Sequence, residues 1–298
     1  MNKKPTKAII AAAGFGTRFL PQTKAMPKEM MPLIDKPIIQ YVVEELVEAG
    51  VEDIIIVGSS NKRAIEDHFD VPNEDLLANL RSGGEKKQHY VDELEAIANL
   101  ANFIYVRQKG PYGNATPLLS AAHLIAEDEP FIYTWADDFI VASPSRFSQM
   151  IDLHKERGGA VLSCKRVVSD SEYDRYGIAA GEQIEPGTLR LSRIIEKPGK
   201  QNAPSELASV SSYLLEGRFF KYLERAKDKF SGDGEFIFQP IMQQMIDDGH
   251  AYYAYEVKDS TYYDTGDKLE YLKTTIDFGM NHPDLGPALI EYLKTRLS

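Results

Sequence analysis

Six small apolar residues, Ala8-Ile9-Ile10-Ala11-Ala12-Ala13, run straight into Gly14-Phe15-Gly16-Thr17-Arg18. A run that short and that apolar reads as a strand buried on both faces, the kind found inside a parallel sheet. The glycines let the backbone turn sharply and bring N–H donors close to a ligand. Arg18 adds a permanently charged, planar donor fork at the end of the turn. A strand ending in such a turn fits two roles, a structural corner or a phosphate cradle. The common phosphate motifs do not decide between them. The pattern G-x-x-x-x-G-K-[ST] is absent, and the dinucleotide fingerprint needs glycine at position 19, where the chain has Phe19.

The rest of the first half alternates in the same way. Pro21 to Pro37 carries four prolines and predicts a long ordered loop. Ile38, Ile39, Val42, Val43, Leu46 and Val47 then share one helical face, with Gly50 as a C-cap. Asp53 to Gly58 predicts a second buried strand, followed by a short helix from Asn61 to Phe69. Residues 73–98 predict a charged helical excursion broken at Ser82-Gly83-Gly84. Further strands are expected at 103–106 and 131–135, with a helix at 117–126 between them. Strands separated by helices imply an α/β fold with a mainly parallel central sheet flanked by helices, Rossmann-like in layout. After residue 160 the texture changes to strand candidates at 160–167, 176–181, 189–195 and 208–215 joined by Gly- and Pro-rich turns. Helices follow near 217–229 and 235–248, a strand at 252–257, and two closing helices near 267–280 and 286–296. The chain is therefore expected to be a single domain, 1–298, with a part at 1–160 and a smaller β-rich and C-terminal part at 161–298.

Composition excludes several classes. With 34 Lys+Arg against 45 Asp+Glu, the net charge of -11 argues against a broad nucleic-acid surface. The single cysteine, Cys164, cannot form an intramolecular disulfide and reads as a buried structural thiol. The apolar run after the basic N-terminus is too short for a spanning helix or a secretory signal, so the expected location is the cytoplasm, with no membrane partner. His68, His89, His123, His154, His250 and His282 are too dispersed to suggest a zinc set.

Two further features carry chemistry. Thr23-Lys24-Ala25-Met26-Pro27-Lys28-Glu29-Met30 sets two lysines on a proline-stiffened loop close to Arg18. Cations so placed can preorganise a site for phosphoryl or nucleotidyl transfer, where positioning matters more than covalent catalysis. Either lysine taken singly also fits a solvent-facing surface. Asp137 and Asp138 follow a predicted strand, where a carboxylate can hold Mg²⁺ against phosphates; an Asp pair there also serves as a loop start or helix cap.

The segments Ala13 to Pro21, Thr23 to Met30, Pro32 to Tyr41, Glu196-Lys197-Pro198 and Tyr263-Asp264-Thr265-Gly266-Asp267-Lys268 resemble the bacterial UTP–glucose-1-phosphate uridylyltransferases, a branch of the sugar nucleotidyltransferases. The likeness spans almost the whole chain. It implies transfer of a uridylyl group from UTP to α-D-glucose 1-phosphate with release of pyrophosphate, aided by Mg²⁺. It implies that Arg18, Lys28 and Lys197 hold the reacting anions and that Asp137, with Asp264, holds the metal. Ala13, Gly14, Gly16, Thr17, Lys24 and Gly113 are implied at the nucleotide, Gln108 at its base, and Asp138, Gly177, Glu196 and Lys197 at the sugar phosphate. A homodimer or homotetramer is implied as well, the C-terminal helices being candidate contacts.

Three stretches depart from the family pattern. They are Gly113-Asn114-Ala115-Thr116-Pro117 near the base, Thr134-Trp135-Ala136 before the metal acid, and Ser211-Ser212-Tyr213 near the sugar. They keep open a relative acting on another base or sugar, such as a thymidylyl- or guanylyltransferase. A non-catalytic sugar-nucleotide sensor is the alternative from a different class.

Overall fold

The strands and helices follow from the two hydrophobic periods. In the computed structural model, which describes residues 2–297 apart from the side chain of Ser211, the strands are β1 (Lys7–Ala12), β2 (Pro32–Leu33), β3 (Lys36–Pro37), β4 (Asp53–Gly58), β5 (Asn102–Arg107), β6 (Pro130–Trp135), β7 (Asp138–Ala142), β8 (Ala160–Arg166), β9 (Gly177–Glu185), β10 (Thr188–Glu196), β11 (Leu207–Glu216), β12 (Tyr252–Glu256) and β13 (Ser260–Asp264). The helices are α1 (Ile38–Glu48), α2 (Arg63–Phe69), α3 (Glu74–Ser82), α4 (Glu85–Ala98), α5 (Thr116–Ala121), α6 (Arg146–Arg157), α7 (Phe219–Lys229), α8 (Gln239–Asp247), α9 (Lys268–Asn281) and α10 (Gly286–Leu297).

Side chains alternate across β1 and β4, and each face is buried against different helices. Ile10, Ile54 and Ile56 pack with Ile38, Val42 and Leu46 of α1 and with Phe147 and Met150 of α6. Ile9, Ile55 and Val57 pack on the opposite face with Leu118 of α5, Phe219 of α7 and Met242 of α8. Full burial of each such side chain contributes about 1.5–3 kcal/mol, so both faces reward a helix cover. Cys164 is one of the buried residues, and burial pushes its thiol pKa well up, away from reactivity.

The large sheet runs β5-β4-β1-β6-β11-β8-β12-β10-β9. Its first four strands are parallel throughout. The expectation of a mainly parallel sheet needs correcting beyond them. Among the described residues the sheet has four parallel ladders and five antiparallel ones. The reason is the shortness of the later connections: Pro186 and Gly187 alone separate β9 from β10, and a two-residue turn can only return the chain antiparallel. β11 also meets β9 through Ala208 and Ile178, which closes β11, β8, β12, β10 and β9 into a ring. The architecture is thus α/β, with helices flanking a mixed sheet that closes on itself in its second half.

The excursion predicted at 73–98 is a helix pair, α3 and α4, broken at Gly83-Gly84, and Asn73 caps α3 by accepting from the N–H groups of Asp75 and Leu76. The predicted helix at 117–126 is shorter; α5 stops at Ala121 and a single 3₁₀ turn follows. Among the described residues no helix is long and apolar enough to cross a membrane.

Candidate active site

The carboxyl ends of β1 and β6 lie side by side in the parallel half of the sheet, the edge where such folds collect ligands. The glycine turn leaves β1 at this edge. Gly16 has φ 64°, and a methyl group there would press on Lys28 Cβ and Thr23 Cγ2 at 3.1 Å, so both conformation and space call for glycine. Thr23 Oγ1 donates to the Gly16 carbonyl at 2.7 Å and ties the turn to the proline-rich loop. That loop is three 3₁₀ turns, Thr17–Phe19, Gln22–Lys24 and Lys28–Met30. Phe19 is buried edge-on against Tyr271 of α9, ring centroids 5.8 Å apart. Its neighbour Arg18 is exposed and donates from Nη1 to the Gly266 carbonyl at 3.2 Å.

The acids arrive from β6, β7 and β13. Asp137 occupies the corner between β6 and β7 and accepts a hydrogen bond from Lys28 Nζ. Its carbonyl accepts from Thr265 Oγ1 at 2.6 Å. β7 pairs antiparallel with β13 so that Asp138 stands opposite Asp264. Asp138 accepts from the Tyr262 hydroxyl at 3.1 Å, and Asp264 pairs with Arg175. A methyl group built on Gly266 would lie 3.2 Å from Asp137 Oδ2 and 3.2 Å from Asp264 Oδ1, so the two carboxylates converge over one glycine. Burial opposes the charge on Lys28, yet Asp137 and Glu29 outweigh it and hold its pKa above that of an ordinary lysine.

Two cavities meet here. One, of about 330 Å³, is walled by Arg18, Lys28, Asp137, Asp138, Arg175, Gly177, Glu196 and Asp264 among others. The second, of about 200 Å³, is walled by Ala13, Gly14, Gln108, Tyr112, Gly113, Asn114 and Glu235 among others. Lys28 and Trp135 belong to both walls. Asp138, Gly177 and Glu196, expected at a sugar phosphate, thus share one chamber, and Ala13, Gly14, Gln108 and Gly113, expected at a nucleotide, share the next.

Four expected residues lie off both walls. Gly16 and Thr17 shape the turn beneath them, and Lys24 is exposed on the loop. Lys197 is also exposed; with φ 46° its backbone is fixed by a 3.2 Å bond to the Tyr176 carbonyl, while its ammonium lies outside the chamber that holds its neighbour Glu196.

Sequence reasoning overlooked Arg175, Tyr262, Gln239, Tyr112, Glu235 and the buried pair Lys62 and Glu29. Arg175 had a signal, a cation directly before Tyr176-Gly177. Tyr262 had none, because its partner Asp138 is a strand pairing away. The three departures are all built into the packing. Asn114 Oδ1 accepts from the Phe238 N–H at 2.9 Å and its amide donates to Gln239 Oε1 at 3.2 Å, pinning the loop to the start of α8. Trp135 lies against Tyr133 and Tyr213, centroids 5.2 and 5.7 Å away. Ser212 is buried and bonded to the Thr134 hydroxyl at 3.0 Å.

Comparison with known proteins gives a consistent result. The family model for nucleotidyl transferases matches residues 7–278. The chain is 39% identical over 296 residues to the UTP–glucose-1-phosphate uridylyltransferase of Bacillus subtilis, covering 99% of this chain and 98% of that one. A uridylyltransferase of Staphylococcus haemolyticus is 40% identical over 292 residues, with 98% of each covered. Among solved structures, a UDP-glucose pyrophosphorylase from Acinetobacter baumannii superposes with a TM-score of 0.84 at 32% identity over 99% of this chain and 100% of that one. A UDP-glucose pyrophosphorylase complexed with UDP-glucose superposes with a TM-score of 0.79 at 33% identity over 92% of this chain and 98% of that one.

Proposed function

The chain belongs to the nucleotidyl transferase family, and from that premise we propose that it transfers the uridylyl group of UTP to α-D-glucose 1-phosphate, giving UDP-glucose and pyrophosphate. The observation that carries this reading is the pair of chambers sharing Lys28: one chamber has the glycine turn of a nucleotide cradle, the other the carboxylates suited to a metal and a sugar.

UTP enters against Ala13, Gly14 and Gly113, with Gly16 and Thr17 shaping the turn, Lys24 near the entrance and Gln108 beside the base. Glucose 1-phosphate enters against Gly177, Glu196 and Asp138, whose carboxylates accept from sugar hydroxyls. A phosphate oxygen of the sugar attacks the α-phosphorus in line with the departing pyrophosphate; the new P–O bond forms as the bond to pyrophosphate breaks. Arg18 and Lys28 hold the two anions against their mutual repulsion, and Lys197 joins them if its flexible stem swings inward. The attacking phosphate is already deprotonated near neutral pH, so no general base is needed.

The carboxylates fit Mg²⁺. Among the described residues no group of three or more His, Cys, Asp or Glu side chains could hold a metal, but this ion commonly uses one or two carboxylates and takes its other ligands from phosphates and water. Asp137 and Asp264, converging over Gly266, supply two hard oxygen donors beside the chamber. When bound there, the ion neutralises charge on the phosphates and pyrophosphate.

We further read the chain as one domain with its nucleotide part at 1–160 and its sugar and C-terminal part at 161–298. We place it in the cytoplasm as a homodimer or homotetramer that binds neither nucleic acid nor membrane. Exposed Leu269, Leu272 and Ile276, three to four residues apart on α9, support an apolar contact between copies.

The decisive assay measures pyrophosphate release from UTP, dTTP, GTP, ATP and CTP, each paired with several hexose 1-phosphates in the presence of Mg²⁺. The expected optimum is UTP with glucose 1-phosphate. A different dominant pair overturns the specificity, and no release with any pair overturns the enzyme in favour of a sensor.

A further inference from the structure

Beneath the glycine turn lies an ion pair that neither chamber touches through its cation. Lys62, at the entry to α2, has a side chain only 3% exposed, and Glu29, the residue after Lys28, is 0% exposed. The Lys62 ammonium donates to Glu29 Oε2 at 2.7 Å, to Glu29 Oε1 at 3.0 Å and to the Gly14 carbonyl at 2.6 Å. An ammonium has three donors, and all three are engaged. The Lys62 backbone is itself fixed, its N–H on the Ser59 carbonyl at 3.2 Å and its own carbonyl accepting from Ile65 at 3.0 Å. One rigid cation therefore ties the end of β4 to the turn after β1 and to the loop that carries Lys28.

Two consequences follow. In a trans peptide the carbonyl and the next N–H point in opposite directions. Drawing the Gly14 carbonyl inward to Lys62 therefore turns the Phe15 N–H away from Lys62, to the exposed side of the turn, where a phosphate oxygen can accept it. The grip on Glu29, meanwhile, fixes the backbone one residue from Lys28, whose stem passes within 3.7 Å of a methyl built on Gly14. Two buried charges are an expensive way to pack a loop, since an apolar pair of similar volume is often as stable. The charges earn retention through the donor on Gly14, which no apolar residue can replace.

We propose that Lys62 is a positioning residue for nucleotidyl transfer, holding the Gly14–Phe15 peptide and, through Glu29, the Lys28 loop in the geometry that receives the triphosphate. This rests on the uridylyltransferase reading, so turnover of UTP with glucose 1-phosphate by the unaltered enzyme is measured first; its failure strikes that reading and not the role of Lys62 within the site.

The test then compares Lys62→Met with the double variant Lys62→Met/Glu29→Leu. The single variant strands a buried carboxylate and is expected to lose both thermal stability and activity. The double variant removes both charges and is expected to recover most of the melting temperature. It still lacks the donor to Gly14, so its kcat/KM for UTP should remain about 10- to 100-fold below normal, the scale set by ångström-level misplacement of a reacting group. Its Kd for UTP, read by calorimetry, should rise about tenfold, and that for glucose 1-phosphate, which shares Lys28 but not the Gly14–Phe15 peptide, should rise distinctly less. A double variant that regains stability together with normal UTP affinity and turnover would show that the pair only packs the loop. Equal weakening of both substrates would likewise overturn the proposal, and so would a double variant no more stable than the single one.

Discussion

Replacing Asp137 by Asn tests the proposed chemistry most directly, because the amide keeps the shape of the side chain and removes its charge. The structural cost is bounded by what Asp137 holds. Its carboxylate accepts one charge-assisted bond from Lys28, worth about 1.5–3 kcal/mol, while its carbonyl bond to Thr265 survives the change. Glu29 remains beside Lys28 to oppose the exposed imbalance. The expected fall in melting temperature is therefore roughly 3–12 °C, leaving the enzyme folded at 25 °C. The catalytic cost is larger. Losing one of two carboxylates converging over Gly266 removes several kcal/mol of charge stabilisation, and about 3–4 kcal/mol corresponds to a 10²- to 10³-fold fall in kcat. The assay is continuous pyrophosphate release at saturating UTP and glucose 1-phosphate across a Mg²⁺ titration, with near-UV circular dichroism on the same samples. A folded Asp137→Asn enzyme that turns over within a few-fold of normal, with an unchanged Mg²⁺ profile, would refute the assignment.

Gly113 should reject alanine for two reasons: its φ is 142°, and the added methyl would lie 2.1 Å from the Phe236 carbonyl oxygen. Gly113→Ala is expected to cost about 1–3 kcal/mol in urea unfolding and to raise KM for UTP more than KM for glucose 1-phosphate; equal changes would count against the placement of the nucleotide chamber. Stability should also depend on pH through one buried carboxyl. Glu45 on α1 lies 3.0 Å from Arg146 Nε in the interior, and burial, opposed by Arg146, pushes its carboxyl up to about 7. A raised carboxyl stabilises the fold where it keeps its proton, so its contribution is complete below the ordinary carboxylate range and is lost as pH rises through about 7. The urea midpoint of the wild type should therefore fall from about pH 5 to about pH 8 by more than that of Glu45→Gln, and parallel profiles would contradict the assignment.

The sequence made the parallel half of the fold legible because each element there satisfies its own period. β1 and β4 are continuous apolar runs, and α1 presents one apolar stripe. α6 was missed for a physical reason. Its buried face includes Arg146 and His154, the first paired with Glu45 and the second bonded to the Gly159 carbonyl at 2.7 Å, so two polar residues interrupt the apolar signature. β7 and β13 were missed because neither joins the large sheet; each exists by pairing with the other across more than a hundred residues of chain. The same split runs through the site. The glycine turn, Lys28 and Asp137 could be picked out locally or by resemblance, whereas Tyr262 and Lys62 acquire meaning only from partners far along the chain, and Arg175, for all its place before Tyr176-Gly177, meets Asp264 only in the fold. Trp135 was noted as a departure, but its position between two chambers depends on β6 lying beside β11.

That long-range pairing of β7 with β13 also sets when the protein becomes competent. The carbonyl that receives Arg18, the hydroxyl that braces Asp137 and the second convergent carboxylate all come from Asp264-Thr265-Gly266. The parallel run β5-β4-β1-β6 is complete in the chain by Trp135, whereas β12 closes the ring only shortly before this tripeptide is made. Synthesis thus delivers the parallel strands long before these three groups, and a chain cut short after β12 lacks all of them together with Tyr271, against which Phe19 packs.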